Sequence, residues 1–242
     1  MRPLLAVGEV IVALIAAVVL STIAFVTVWV GYWSVLRGEF PPPIPNVTEP
    51  TTGLLIALIG TQAVCFVFVA AVLVLIRVSP RSASSPRWHP LVAVVLGGGV
   101  GVLAVGFAWG MTSAMSMLGL EVEEQPWLVK LASEDPAALW SLAPWIVLVG
   151  PFAEEVFFRG YVFRFLTERG GVLLGVLLSA LMFGIVHFHP PLLPVYFVYG
   201  VMFAWLYDRT GRLVTPVVAH ITVNFVGVIL LWLSVSLAPS AS

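Results

Sequence analysis

Apolar residues in this chain come in runs of about twenty. The first three reach from Val10 to Val30, from Leu54 to Ile76 and from Leu91 to about Met117, the length at which a helix crosses a bilayer. Polar segments separate them. Arg37 to Gly53 contains Pro41-Pro42-Pro43 and Pro45 and reads as an extended loop. Arg77 to Pro90 carries Arg77, Arg81 and Arg87 with no acid, and Glu121 to Asp135 sets five acids against Lys130 alone; both read as loops. The second half is less uniform. An apolar helix starts near Leu139, runs through Glu154, Glu155 and Arg159, and stops at Gly170-Gly171. Val172 to His189 follows, closed by Pro190-Pro191. Leu192 to Tyr207 is a short span ending at Asp208, and Leu213 to about Leu237 is the last.

This pattern predicts an all-α, polytopic membrane helix bundle of about seven spans, within a range of six to eight. Residues 1–138 form a three-span region and 139–237 a four-span core, integrated in one membrane domain. The first run is expected to be a retained helix, because it exceeds the apolar stretch of about 7–15 residues found in a cleaved signal peptide.

Composition removes the soluble alternatives. Of 242 residues 60% are hydrophobic and 10% charged, and the mean hydropathy is +1.08, whereas globular domains are about a quarter charged. A net charge of −1 leaves no basic footprint for nucleic acid. Cys65, alone and inside an apolar run, excludes a disulfide framework and a cysteine metal site. Alternating spans place Arg2, the 77–87 loop, the Arg164/Arg169 turn and the Arg209/Arg212 turn on one side of the membrane. The positive-inside rule makes that side cytoplasmic, with the N-terminus inside. Gly97-Gly98-Gly99-Val100-Gly101 imitates a phosphate loop, yet it lies within an apolar run and lacks a following Lys-Ser/Thr. Gly97/Gly101 and Gly106/Gly110 instead fit the small-xxx-small spacing of packed membrane helices, and Met111 and Met115 fit core filling.

Ionisable groups inside spans cost about 2.5–3.5 kcal/mol each on the insertion scale, and three clusters of polar groups occupy the last four spans. Glu155 and Arg159 are four residues apart and can pair on one helix face, while Glu154 points about 100° away. Phe183 and His187 share that spacing, as do His220 and Asn224. Glu154 lies 16 residues before Gly170 and His187 lies 16 after Gly171. In a helical hairpin both would sit about 24 Å from the tip. His220 reaches the same level if the Arg164/Glu168/Arg169 tip projects beyond the lipid. The plainer account of any one cluster is packing: a Glu–Arg pair between helices, and histidines satisfied by carbonyls. All three together favour chemistry. A carboxylate beside histidines can hold and deprotonate water, and an asparagine with a second histidine can stabilise an oxyanion. No Gly-x-Ser-x-Gly, no His-Glu-x-x-His and no aspartate within a span is present, which excludes the serine, zincin and aspartyl solutions.

Glu-Glu-x-x-x-Arg at 154–159, Phe-x-x-x-His at 183–187 and His-x-x-x-Asn at 220–224, on successive helices, resemble the CPBP family. Its name stands for CAAX protease and bacteriocin-processing; it is also called the abortive-infection or type II CAAX prenyl endopeptidase family. The likeness covers about Leu139 to Leu233, and His189 lies outside the pattern as an interfacial residue. The resemblance implies a glutamic intramembrane endopeptidase with catalytic Glu154, Glu155, His187, His220 and Asn224, supported by Arg159 and Phe183. Glu154 would be the base and His187 its partner in fixing water, with His220 and Asn224 as the oxyanion pair. Glu155 has two readings, catalytic or, with Arg159, supporting. No cofactor is expected; the alternative is Zn²⁺ on Glu154, His187 and His220. The partners implied are the lipid bilayer and a membrane-embedded peptide or protein: a C-terminal anchor, a signal or a bacteriocin-type peptide. An arginine-rich chain without a eukaryotic targeting signal points to a bacterial cytoplasmic membrane. A non-proteolytic immunity or scaffold protein is the alternative from another class. A proton- or ion-coupled transporter is disfavoured because no internal repeat relates the two halves.

Overall fold

The computed structural model describes residues 2–38, 40–43, 51–79, 88–120, 122 and 126–237. Arg81, Arg87, Pro45 and the acids Glu121, Glu123 and Glu124 lie outside them. Three long helices come first: α1 (Arg2–Gly31), α2 (Thr52–Arg77) and α3 (Pro90–Met117). Two short helices follow, α4 (Pro126–Glu134) and α5 (Pro136–Pro144). Then come α6 (Gly150–Glu155), α7 (Arg164–Ile185), α8 (Leu193–Thr210) and α9 (Val214–Ser236).

Six stretches are long and apolar enough to cross a membrane, one of them the 50 residues from Pro136 to Ile185. That stretch is two helices. Gly171 has φ 84° and ψ 169°, a conformation open to glycine and costly for other residues. The Phe158 and Phe183 rings lie 5.3 Å apart, whereas 25 residues of continuous helix would separate them by about 37 Å. The chain therefore doubles back at Gly171, and seven helices cross the membrane among the described residues. The Gly-Gly stop and the all-α bundle stand as expected.

The acidic stretch differs from expectation because it contains α4. Leu128 and Ala132, one turn apart, join Leu139, Ala143, Val147 and Val228 in an apolar cluster; the surrounding acids obscured this amphipathic turn. Asp135 then caps α5, its Oδ1 accepting from the Ala137 and Ala138 amides at 3.0 and 3.1 Å. With Pro136 suited to a first helical position, the helix begins there and not near Leu139.

The arginine-bearing ends gather at one end of the bundle. The Glu168 Oε1 accepts from the Ser79 amide at 2.7 Å, and the Arg212 Nε donates to the Trp88 carbonyl at 2.6 Å. Arg77 lies 3.9 Å from Glu9.

Gly97 and Gly101 lie against α9, and a Cβ at Gly101 would stand 2.6 Å from the Ala219 carbonyl and from Thr222 Cβ. Gly106 and Gly110 have nothing within 4 Å of such an atom, so the small-xxx-small reading holds for the first pair only. Met111 packs against the core. Gly101→Ala is expected to destabilise the fold by about 1–3 kcal/mol through overpacking, and Gly106→Ala to leave it unchanged, as read by thermal unfolding in detergent.

Candidate active site

The hairpin at Gly171 levels the two halves of the site. Glu154 Oε2 lies 3.9 Å from His187 Nε2 and 4.0 Å from His220 Nε2, so three side chains separated in sequence converge as their spacing predicted. This oxygen is buried and accepts no hydrogen bond from the described residues. Adjacent carboxylates diverge, as 100° steps require: the Glu154 side chain is 31% exposed and Glu155 is fully enclosed.

Each imidazole is held by its far nitrogen. The α7 helix ends at Ile185, two residues short of His187, because the His187 amide donates to the Gly184 carbonyl. The Phe183 carbonyl, freed of that partner, takes the His187 Nδ1–H at 2.7 Å, which gives the Phe-x-x-x-His spacing a structural cause. A carbonyl only accepts, so Nδ1 carries the proton and, in the neutral ring, Nε2 faces Glu154 with its lone pair. His220 Nδ1 donates to Glu155 Oε1 at 3.0 Å. The same oxygen accepts from Arg159 at 2.9 Å, and the second guanidinium nitrogen donates to the Gly200 carbonyl at 3.0 Å. Aromatic rings complete the frame. Tyr196 stacks on His187 (4.2 Å, 20°) and Phe203 on His220 (5.1 Å, 26°). The Arg159 guanidinium lies 4.7 Å from the Phe183 ring centre.

Asn224 is placed by an irregularity in the helix that carries Glu154. Two wide, π-helical stretches, Trp145–Val149 and Val156–Phe163, flank α6, a distortion frequent at functional sites. The Gly150 amide bonds five residues back, to the Trp145 carbonyl. The next bond in that register would run from residue 151 to Ile146, but Pro151 has no N–H. The Ile146 carbonyl instead accepts the Asn224 Nδ2–H at 2.8 Å. This uses one of the two amide donors.

Glu154, Phe183, His187, His220 and Asn224 line one cavity of about 330 Å³. Glu155 is not in the lining and reaches the site through His220. His189 lies past the helix end, before the turn Pro190–Leu192, and is also absent from the lining. The wall includes Gln62, Trp145 and Tyr196 as well, which motif spacing does not single out. Gln62 had a signal, being a carboxamide in an apolar span. Tyr196 had none, since an aromatic residue in a membrane helix is ordinary.

Two imidazoles and a carboxylate with their outer nitrogens held have the chemistry of a zinc site. Ligands of one tetrahedral zinc lie about 3.4 Å from each other, and Glu154 Oε2 stands 3.9 and 4.0 Å from the two Nε2 atoms, so these three side chains would hold such an ion after closing by about half an ångström.

Residues 136–226 match the family model described as Rce1-like, type II CAAX prenyl endopeptidase. YdiL of Bacillus subtilis (strain 168), whose name gives it as a candidate membrane peptidase, is 40% identical over 77 residues, 32% of this chain and 32% of its own. The membrane-embedded CAAX protease MroQ of Staphylococcus aureus (strain USA300) is 32% identical over 85 residues, 33% of this chain and 34% of its own. The UPF0177 protein YxdF of Lactococcus lactis subsp. lactis (strain IL1403) is 29% identical over 82 residues, 33% of this chain and 44% of its own. The matched stretch thus spans about a third of the length of the first two relatives. No solved structure matches significantly. The resemblance drawn from the three motifs holds over a segment that contains all of them.

Proposed function

We propose that this chain is an intramembrane endopeptidase that hydrolyses a peptide bond of a membrane-associated protein or peptide with water activated by Glu154 and His187. The observation that carries this is the convergence of Glu154 Oε2 on two imidazole Nε2 atoms whose outer nitrogens are already engaged. A water between these groups donates one proton to Glu154 Oε2 and a hydrogen bond to His187 Nε2. Its oxygen attacks the scissile carbonyl. The resulting oxyanion takes hydrogen bonds from Asn224 and from His220, whose ring must carry a second proton at Nε2 to donate there; the Glu155 carboxylate at its Nδ1 holds the charge. The C–N bond then breaks, and Glu154 returns its proton to the leaving amine. Glu155 and Arg159 are positioning residues in this scheme, acting through His220. The gathering of arginines at one end of the bundle supports a bacterial cytoplasmic-membrane protein with that end, and the N-terminus, inside. The names of two bacterial relatives, a candidate membrane peptidase and a membrane-embedded CAAX protease, support peptide-bond hydrolysis at the membrane.

The reading is tested by comparing the membrane proteomes of cells making this chain and its Glu154→Gln form: matched N- and C-terminal fragments should accumulate with the first alone. Equal fragment patterns would reject proteolysis that depends on Glu154. The chemistry proposed is metal-free, so dialysis against a tight zinc chelator should leave cleavage within about twofold, whereas activity that vanishes and returns with zinc would assign Glu154, His187 and His220 to a metal.

A further inference from the structure

Hydrolysis inside a helix bundle poses a problem that the catalytic groups do not solve. The substrate carbonyl becomes open to attack once its segment leaves helical hydrogen bonding, and the backbone N–H and C=O groups so freed must find partners where water is scarce. A carboxamide suits this task, since it offers an acceptor and two donors in one plane, matching both groups of a peptide bond.

The chain has four carboxamide residues: Asn46 and Gln125 fall outside the spans, Gln62 and Asn224 within them. Both of the latter line the Glu154 cavity, from different helices. Their situations differ. Asn224 commits one donor to the Ile146 carbonyl. Gln62 stands on the cavity wall and is exposed there, whereas its neighbour Thr61 bonds back to its own helix, 2.8 Å from the Ala57 carbonyl. The surrounding wall is fixed. Phe66, one turn on, packs against Phe157 with ring centres 4.9 Å apart. Gly60 lets the Trp145 ring approach, with 3.2 Å to where a Cβ would lie. A polar side chain is thus carried on a firm apolar helix and lines the same cavity as the base, through which an extended peptide would pass.

We infer that Gln62 is a substrate-binding residue whose carboxamide pairs with the peptide backbone next to the scissile bond, an inference that rests on the proteolytic reading. Recognition of this kind is blind to side chains. It makes the substrate class any apolar segment able to unwind locally, with residue preferences set elsewhere in the cavity.

The probe is the peptide identified by the membrane-proteome comparison, made synthetically and assayed with the purified protein in detergent. Gln62→Met, which keeps length and removes the polar group, should lower kcat/KM about tenfold, mainly through KM, with thermal unfolding unchanged. Gln62→Glu, which keeps the acceptor and removes the donors, reports which half of the carboxamide is used. A peptide whose amide N–H beside the scissile bond is replaced by an ester should lose a similar factor with the unmodified protein and nothing further with Gln62→Met. Cleavage by Gln62→Met within twofold of the unmodified protein, or a fall in kcat/KM that tracks lost thermal stability, overturns the inference and leaves proteolysis standing. If Glu154→Gln yields the same fragments as the unmodified chain, the proteolytic reading falls and the inference falls with it.

Discussion

Glu154→Gln is expected to lower turnover by about 10³–10⁴-fold, near the upper range for loss of a general acid–base group, with thermal unfolding in detergent unchanged. The two halves of this expectation come from separate facts. Turnover falls because an amide can neither take the proton of the attacking water nor return one to the leaving amine. Stability persists because the relevant carboxylate oxygen accepts no hydrogen bond from the described residues, so the isosteric amide breaks no contact there. Measured turnover within tenfold of the unmodified protein would place the base elsewhere.

The second large effect concerns the buried pair behind His220. Glu155 and Arg159 are both fully enclosed, and removing one partner leaves an uncompensated charge, which costs about 3–5 kcal/mol. Arg159→Leu should therefore lower the unfolding temperature sharply. The double variant Glu155→Leu/Arg159→Leu should recover most of that loss, because an apolar pair often replaces a buried ion pair without penalty. The surroundings favour such recovery: Phe158, Phe183 and Phe203 enclose the guanidinium, and Glu155 Oε2 and Arg159 Nε already lack partners among the described residues. Turnover should stay low in the double variant, since His220 loses the carboxylate that orients its ring. Stability and activity recovering together would show that the pair serves packing alone.

Much of this arrangement was legible in the chain because it follows from counting. Equal distances of 16 residues on either side of Gly170-Gly171 put Glu154 and His187 at one level, and the positive φ of Gly171 makes the hairpin on which the count depends. The adjacent glutamates had to diverge, and they do. What escaped depends on neighbours. The amphipathic turn of α4 shows its apolar side only against Val228. Gly97 and Gly106 look alike in sequence, yet only the first has a helix pressed against it. The wide turn ahead of α6 combines the missing amide of Pro151 with a side chain from α9, a combination without local signature. Ending α7 at Ile185 was equally hidden, since a Phe-x-x-x-His repeat reads as helix throughout.

The tie between Asn224 and Ile146 has a mechanical consequence. A carboxamide anchored by one of its hydrogens cannot swing freely, so its other hydrogen already has a direction before any peptide arrives. In the proposed mechanism, charge growing on the substrate meets a dipole that needs no turning, and the cost of reorienting it was met when the chain folded. The proline that leaves Ile146 without its usual partner thereby sets the aim of a group on a helix about seventy residues further along the chain.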